Sequence, residues 1–157
     1  ESIQAYTGAI AHDIETEDTA VAAVKALLAE TGKTKAAGAQ VVFVDMHAET
    51  TSEKVALSWY LDGQVAAVVG THTHVQTADE QLFPGGTAFL CDAGMCGPTE
   101  SILGRRIDPI IYRFRTNMPA RFPVAKGVVT ACGVIVDIEM ETGKAVGIER
   151  ISTRIEI

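Results

Sequence analysis

A chain of 157 residues, 47% of them hydrophobic, is long enough for one compact domain with a substantial core and too apolar for a disordered segment. Its formal net charge of −7 excludes the basic surface that coats long nucleic acid, while leaving room for a small anionic ligand whose charge a metal offsets locally. No apolar run approaches the roughly 18 residues that span a bilayer, so no membrane partner is expected.

In chain order, residues 1–15 carry no clear period, and Glu1 to Ile14 lack the basic-then-apolar pattern of a secretion signal. Thr16 to Gly32 reads as a helix: Thr16 caps it, Glu17 and Asp18 suit the positive end of the dipole, and Val21, Val24, Leu27 and Leu28 recur at helical spacing. Gly32 is its expected stop, and Lys33 to Gln40 a polar connection. Val41 to Val44 is a continuous β-branched and aromatic run, expected as a strand buried on both faces. Thr50 and Glu53 have the spacing of a capping box for a helix reaching about Leu61, with Gly63 as its stop. Val65 to Val69 is the next buried strand, and Thr87 to Cys91 a third, after a turn at Pro84-Gly85-Gly86. Asp108 to Arg115 suggests a short helix. Val128 to Ile138 and Val146 to Ile151 read as a hairpin turning at Glu141-Thr142-Gly143-Lys144. This order implies α/β layers with a mixed sheet and a C-terminal β-hairpin, in a single domain over 1–157.

Ligands of open α/β sheets collect at the carboxyl ends of strands, and those ends are unusually polar here. The first carries Asp45, His47 and Glu49; the second Thr71, His72, Thr73 and His74; the third Asp92 and Gly94. Extended-chain parity puts His72 and His74 on one side, about 7 Å apart. Imidazole is the commonest biological metal ligand, so His47, His72 and His74 are the expected metal ligands. Asp45 and Asp92 are expected as acceptors for imidazole N–H groups or as substitute ligands.

Other residues have bland readings beside the functional ones. His12, alone, reads as a surface residue. Thr71 and Thr73 are candidate donors to phosphate oxygens, with backbone capping the more ordinary role. Gly94 and Gly97, in Gly94-Met95-Cys96-Gly97-Pro98, suit either a phosphate nest or a plain turn. Arg105 and Arg106 are expected at the surface, and Trp59 and Tyr60 in the core. Cys91, Cys96 and Cys132 are odd in number and widely spaced, so reduced thiols and a cytoplasmic location are expected.

The stretches Val44 to Lys54, Val69 to Asp79 and Asp92 to Pro98 resemble the YmdB-like metallophosphoesterases of the calcineurin-like phosphoesterase superfamily. The resemblance covers roughly residues 39–157, with 1–38 poorly matched. It implies part of a four-layer α/β/β/α sandwich that hydrolyses 2′,3′-cyclic nucleotides or related small phosphodiesters through a two-metal-activated water. Iron or manganese would be the ions, with zinc and magnesium as further candidates. His47 and His72 would hold one ion and His74 the other.

The family also opens with Gly-Asp, Gly-Glu-Asn and Gly-Asn-His motifs, and none of them occurs in these residues, where the only asparagine is Asn117. The family's general-acid histidine is therefore unassigned. The chain is expected to represent the C-terminal part of a longer enzyme, with self-association open. Two other classes compete. One is a non-catalytic metal-binding or interaction module derived from that family. The other, a mononuclear amidohydrolase, needs a barrel of about 250 residues.

Overall fold

The computed structural model describes residues 26, 29 and 31–155. Most of the helix expected over Thr16 to Gly32, and the reading of His12, lie outside the described residues. Residues 31–36 are helical, so Gly32 does not stop the helix, and the connection expected from Lys33 begins only after it.

Strands β1 (Phe43–His47), β2 (Ala67–Thr71), β3 (Gln81–Leu82) and β4 (Ala88–Leu90) form one sheet in the order β1-β2-β4-β3. The pairs β1–β2 and β2–β4 are parallel and β3–β4 is antiparallel, so the sheet is mixed as expected. A second, antiparallel sheet holds β5 (Cys96–Pro98), β6 (Val129–Glu139) and β7 (Lys144–Ile155) in that order. The last two strands are the expected hairpin; β6 has the expected length one residue further on, and β7 is longer than the apolar run Val146 to Ile151 suggested. The two short strands β3 and β5 were not foreseen, because two or three residues carry no readable alternation.

Alternation along the strands separates two cores. Val68 and Phe89 turn to one face of the first sheet, where they join Val42, Val44, Leu57 and Leu61. Leu57 and Leu61 come from helix α1 (Thr51–Tyr60) and its C-terminal cap. Ala67 and Ala88 turn to the other face and meet Ala145, Val136 and Ile148 of the hairpin. The described layers are therefore helix, sheet, sheet. Small alanines let the two sheets approach closely, and the Ala145 N–H donates to Gly86 O at 2.8 Å across that boundary. Gln76 ties the same layers: its Nε2 donates to Gly133 O and Ile151 O, each at 2.9 Å.

Three expectations need correction. β1 is covered on one face only among the described residues: Val42 and Val44 are buried in the first core, while Phe43, on the other face, is exposed. Thr50 precedes α1 in extended conformation, but its hydroxyl makes no capping bond, so the capping box does not form. The buried face of α1 carries Lys54, Leu57 and Ser58, which leaves Trp59 and Tyr60 exposed rather than in the core. Trp59 instead stacks from outside on Phe83, ring centroids 4.1 Å apart. Helix α2 (Ile107–Thr116) is largely exposed, buries Ile110, and stops at Asn117 in left-handed conformation. Among the described residues, no helix is long and apolar enough to cross a membrane.

Gly70, in the centre of the first sheet, is required by close approach. A Cβ there would lie 1.7 Å from Cys91 O and 2.9 Å from Lys54 Cδ. Gly70→Ala should cost upwards of about 3 kcal/mol, because backbone rather than a side-chain tip must yield. Gly133→Ala, with open space around it, should be close to neutral when both variants are compared with the unaltered chain by urea unfolding.

Candidate metal centre

β1 and β2 run parallel with His47 opposite Thr71, and Asp45 lies two residues back on the same face as His47. This register makes a hydrogen-bonded chain. The Thr71 hydroxyl donates to Asp45 Oδ1 at 2.8 Å, and His47 Nδ1 lies 3.0 Å from the same Oγ1. An ionised carboxylate only accepts, so it takes the single hydroxyl proton. With that hydroxyl proton given to Asp45, the Thr71 oxygen is an acceptor for the His47 Nδ1–H, and His47 Nε2 is the ring nitrogen turned toward His72.

His72 Nδ1 lies 2.9 Å from that His47 Nε2, the rings are edge-on at 88°, and His72 Nε2 meets Glu49 Oε2 at 2.8 Å. Two ring nitrogens at this separation share a proton, or share an ion in its place. Two ligand atoms about 2.0–2.1 Å from one ion and about 90° apart stand roughly 2.9 Å from each other. In this structure a hydrogen bond occupies that separation between His47 Nε2 and His72 Nδ1. Among the described residues no three His, Cys, Asp or Glu side chains already converge on one point.

Beyond β2 the backbone leaves the strand. His72 has φ 116° and His74 φ 66°, both in the left-handed half of the map that residues with a Cβ rarely adopt. The extended-chain parity that was expected to align His72 with His74 thus fails, because β2 ends at Thr71. His74 is exposed, and no hydrogen bond or ring contact among the described residues joins it to the His47–His72 pair.

A buried ion pair lies beneath this loop. Lys54 Nζ is 3.1 Å from Asp92 Oδ2, with both side chains 1% exposed, and also donates to Thr71 O at 2.9 Å. Asp92 Oδ2 accepts the Thr73 N–H and Oδ1 the Gly94 N–H, each at 2.9 Å. Burial raises the Asp92 carboxyl pKa, but the Thr73 and Gly94 N–H groups, the Thr73 hydroxyl and Lys54 together outweigh it. The net effect holds Asp92 below the usual carboxylate range. Burial raises the Cys91 thiol, and Asp79 adds to this, so Cys91 is a poor nucleophile. All three cysteines are free thiols.

A family model described as YmdB-like protein matches residues 4–151. The chain belongs to this family. The match begins upstream of residue 39, where the resemblance of the quoted motifs starts. A 2′,3′-cyclic-nucleotide 2′-phosphodiesterase of Bacillus subtilis is 59% identical over 110 residues, covering 70% of this chain and 42% of that protein. A Mycoplasma pneumoniae protein named as a putative phosphatase/phosphodiesterase is 40% identical over 109 residues, 39% of its length. The chain thus spans about two fifths of these relatives. A solved Mycoplasma pneumoniae structure described as a novel phosphatase superposes with TM-score 0.77 at 35% identity, covering 85% of this chain and 47% of that one. A Thermus thermophilus structure of a hypothetical protein gives 0.76 at 37%, covering 83% and 50%. The relatives' names make the YmdB-like family one of phosphoester hydrolases, and the superpositions carry the α/β fold with its mixed sheet and hairpin.

Of the YmdB-like motif residues singled out from sequence, the structure brings Asp45, His47, Thr71 and His72 into one chain of contacts. It places Asp92 under the loop, bonded to Lys54, Thr73 and Gly94 rather than to an imidazole. The Thr73 hydroxyl caps locally, against Val75, and the Gly94 N–H is taken by Asp92. Gly97 pairs with Thr130 in the second sheet. Arg105 and Arg106 are exposed, as expected. Sequence reading placed Glu49 at the first strand end without a role and missed Lys54. Glu49 stood two residues from His47, and Lys54 stood on the buried stripe of α1 with Leu57, Ser58 and Leu61. A lysine at that spacing was the available signal.

Asp92 generates a pH prediction. Its folded pKa is depressed, so its contribution is present above the unfolded value of about 3.9 and is lost as pH falls through the folded value. Asp92→Asn leaves the buried Lys54 without its counter-charge and should cost about 3–5 kcal/mol at pH 7. Urea unfolding of both proteins from pH 7 to pH 2 should show that gap narrowing only below about pH 4.

Proposed function

We propose that this chain supplies the histidine half of a metal-dependent phosphodiesterase site acting on 2′,3′-cyclic nucleotides or related small phosphodiesters. The observation that carries the reading is the His47–His72 pair, with Nε2 and Nδ1 2.9 Å apart and each ring oriented from behind by an oxygen. His47 binds through Nε2 because Thr71, anchored on Asp45, holds its other nitrogen as a donor. His72 binds through Nδ1 with Nε2 directed at Glu49. His74, two residues on, is the ligand for a second ion. When bound, divalent ions, iron or manganese, clamp a phosphate and lower the pKa of a water to make a nucleophile. The likeness to a Bacillus subtilis 2′,3′-cyclic-nucleotide phosphodiesterase supports the substrate class.

A non-catalytic metal-binding module is the second reading. It is favoured by the lack of Gly-Asp, Gly-Glu-Asn and Gly-Asn-His motifs in these 157 residues.

A chimera separates the two, with residues of this chain replacing the matched 110 residues of the Bacillus subtilis enzyme. The chimera should hydrolyse 2′,3′-cyclic nucleotide with manganese. His72→Ala in it should lose upwards of about 10²-fold, the upper end of what losing a mere outer partner of a ligand costs. A folded but inactive chimera refutes the catalytic reading. The 157-residue chain alone should bind manganese with little turnover. Robust turnover abolished by His72→Ala would mean that it completes a site by another route.

A further inference from the structure

The Lys54–Asp92 pair reaches both peptide groups that flank His72. Lys54 Nζ donates to Thr71 O, the carbonyl before His72, at 2.9 Å. Asp92 Oδ2 accepts the N–H of Thr73, the amide after it, also at 2.9 Å. The same Oδ2 meets Lys54 Nζ at 3.1 Å, so the two grips share one atom. Asp92 holds the far end of the loop through its own backbone. Its carbonyl accepts the Thr77 N–H at 3.1 Å, and its N–H donates to Thr77 Oγ1 at 2.9 Å. Between these attachments His72 has φ 116° and His74 φ 66°. Such angles are unfavourable for a residue with a Cβ and persist only where the surroundings over-determine them.

We propose that Lys54 and Asp92 are positioning residues, a buried clamp that imposes the strained backbone at His72 and so presents its Nδ1 to His47 Nε2. Neither residue touches the two imidazoles. They act on the peptides to either side, from a helix and a strand end that the core holds rigid. An extended continuation of β2 would aim residue 72 along the strand's alternation. The turn at φ 116° is what brings it back to β1. Gly70 leaves the room for this arrangement, since a Cβ there would press on Lys54 Cδ. The pair also explains a lysine on the buried stripe of α1, where an apolar residue would pack at less desolvation cost.

The role of His72 as a metal ligand rests on the proposed function. The clamp itself is tested without metal. At positive φ, glycine is free of the Cβ strain that alanine suffers. His72→Gly should therefore melt several degrees above His72→Ala in the otherwise unchanged 157-residue chain. In a Lys54→Met background the loop can relax, and that Gly-over-Ala advantage should fall to within a degree or so. If Lys54→Met does not fold, Lys54→Met/Asp92→Asn, which carries no unpaired charge, serves as the background. An undiminished advantage in either folded background overturns the clamp.

A second readout is manganese titration of the same folded backgrounds with His72 intact. Affinity should drop at least tenfold, and affinity equal to that of the unaltered chain counts against the clamp. An unaltered chain that binds no manganese at all refutes the proposed function, while the Gly/Ala comparison still decides the clamp.

Discussion

A buried lysine paired with a buried aspartate is the constraint around which this domain is arranged. Removing each ion from water costs several kcal/mol, and a single contact does not recover that. The pair persists because both ions have further hydrogen-bond partners. Lys54 also serves Thr71 O, and Asp92 also serves the amides of Thr73 and Gly94. The result joins α1, the end of β2 and the end of β4 at one point. Those strand ends carry Thr71, His72 and Asp92, so the stability of the core and the geometry of the histidines depend on the same few atoms.

The layers explain why this point is rigid. On one face of the first sheet, Val68 and Phe89 pack under Leu57 and Leu61 of the helical layer. On the other, alanines allow the hairpin close enough for Gln76 to bond carbonyls of both β6 and β7. A loop between two such layers has its peptide groups satisfied by side chains from each, and it can store backbone strain that an isolated turn would release. The exposed rim behaves differently. His74 and Glu49 lie at the surface, where salt and solvent screen their interactions.

Electrostatics divides the site into two parts. Beneath the loop the charges are paired and the Asp92 carboxyl is held ionised. Above it, His47 and His72 are oriented by oxygen atoms of Thr71 and Glu49. The divalent-ion and phosphate site proposed above would gain from this division. The structural charges are neutralised within the protein, and the imidazoles remain available for the ligand.

Much of this was legible in the chain itself, because it depends on local pattern. Continuous apolar runs ending in His, Asp and Gly marked β1, β2 and β4 and the polar rim at their carboxyl ends. The Thr50/Glu53 spacing and Gly63 marked the span of α1, although the capping bond itself does not form, and the glycine turn marked the hairpin. The motifs around His47 and His72 pointed to the right family. Several other features could be settled only by tertiary packing. Among the described residues the hairpin core does not extend over β1, so Phe43 is exposed despite its apolar run. The buried stripe of α1 faces the sheet through Lys54 rather than Trp59. The His-x-His segment is not a strand, because Asp92, twenty residues beyond His72, takes the Thr73 amide out of any ladder. A contact between residues distant in sequence has no period and no propensity, so only the folded arrangement of α1, β2 and β4 could reveal that an ion pair, not strand alternation, aims His72 at His47.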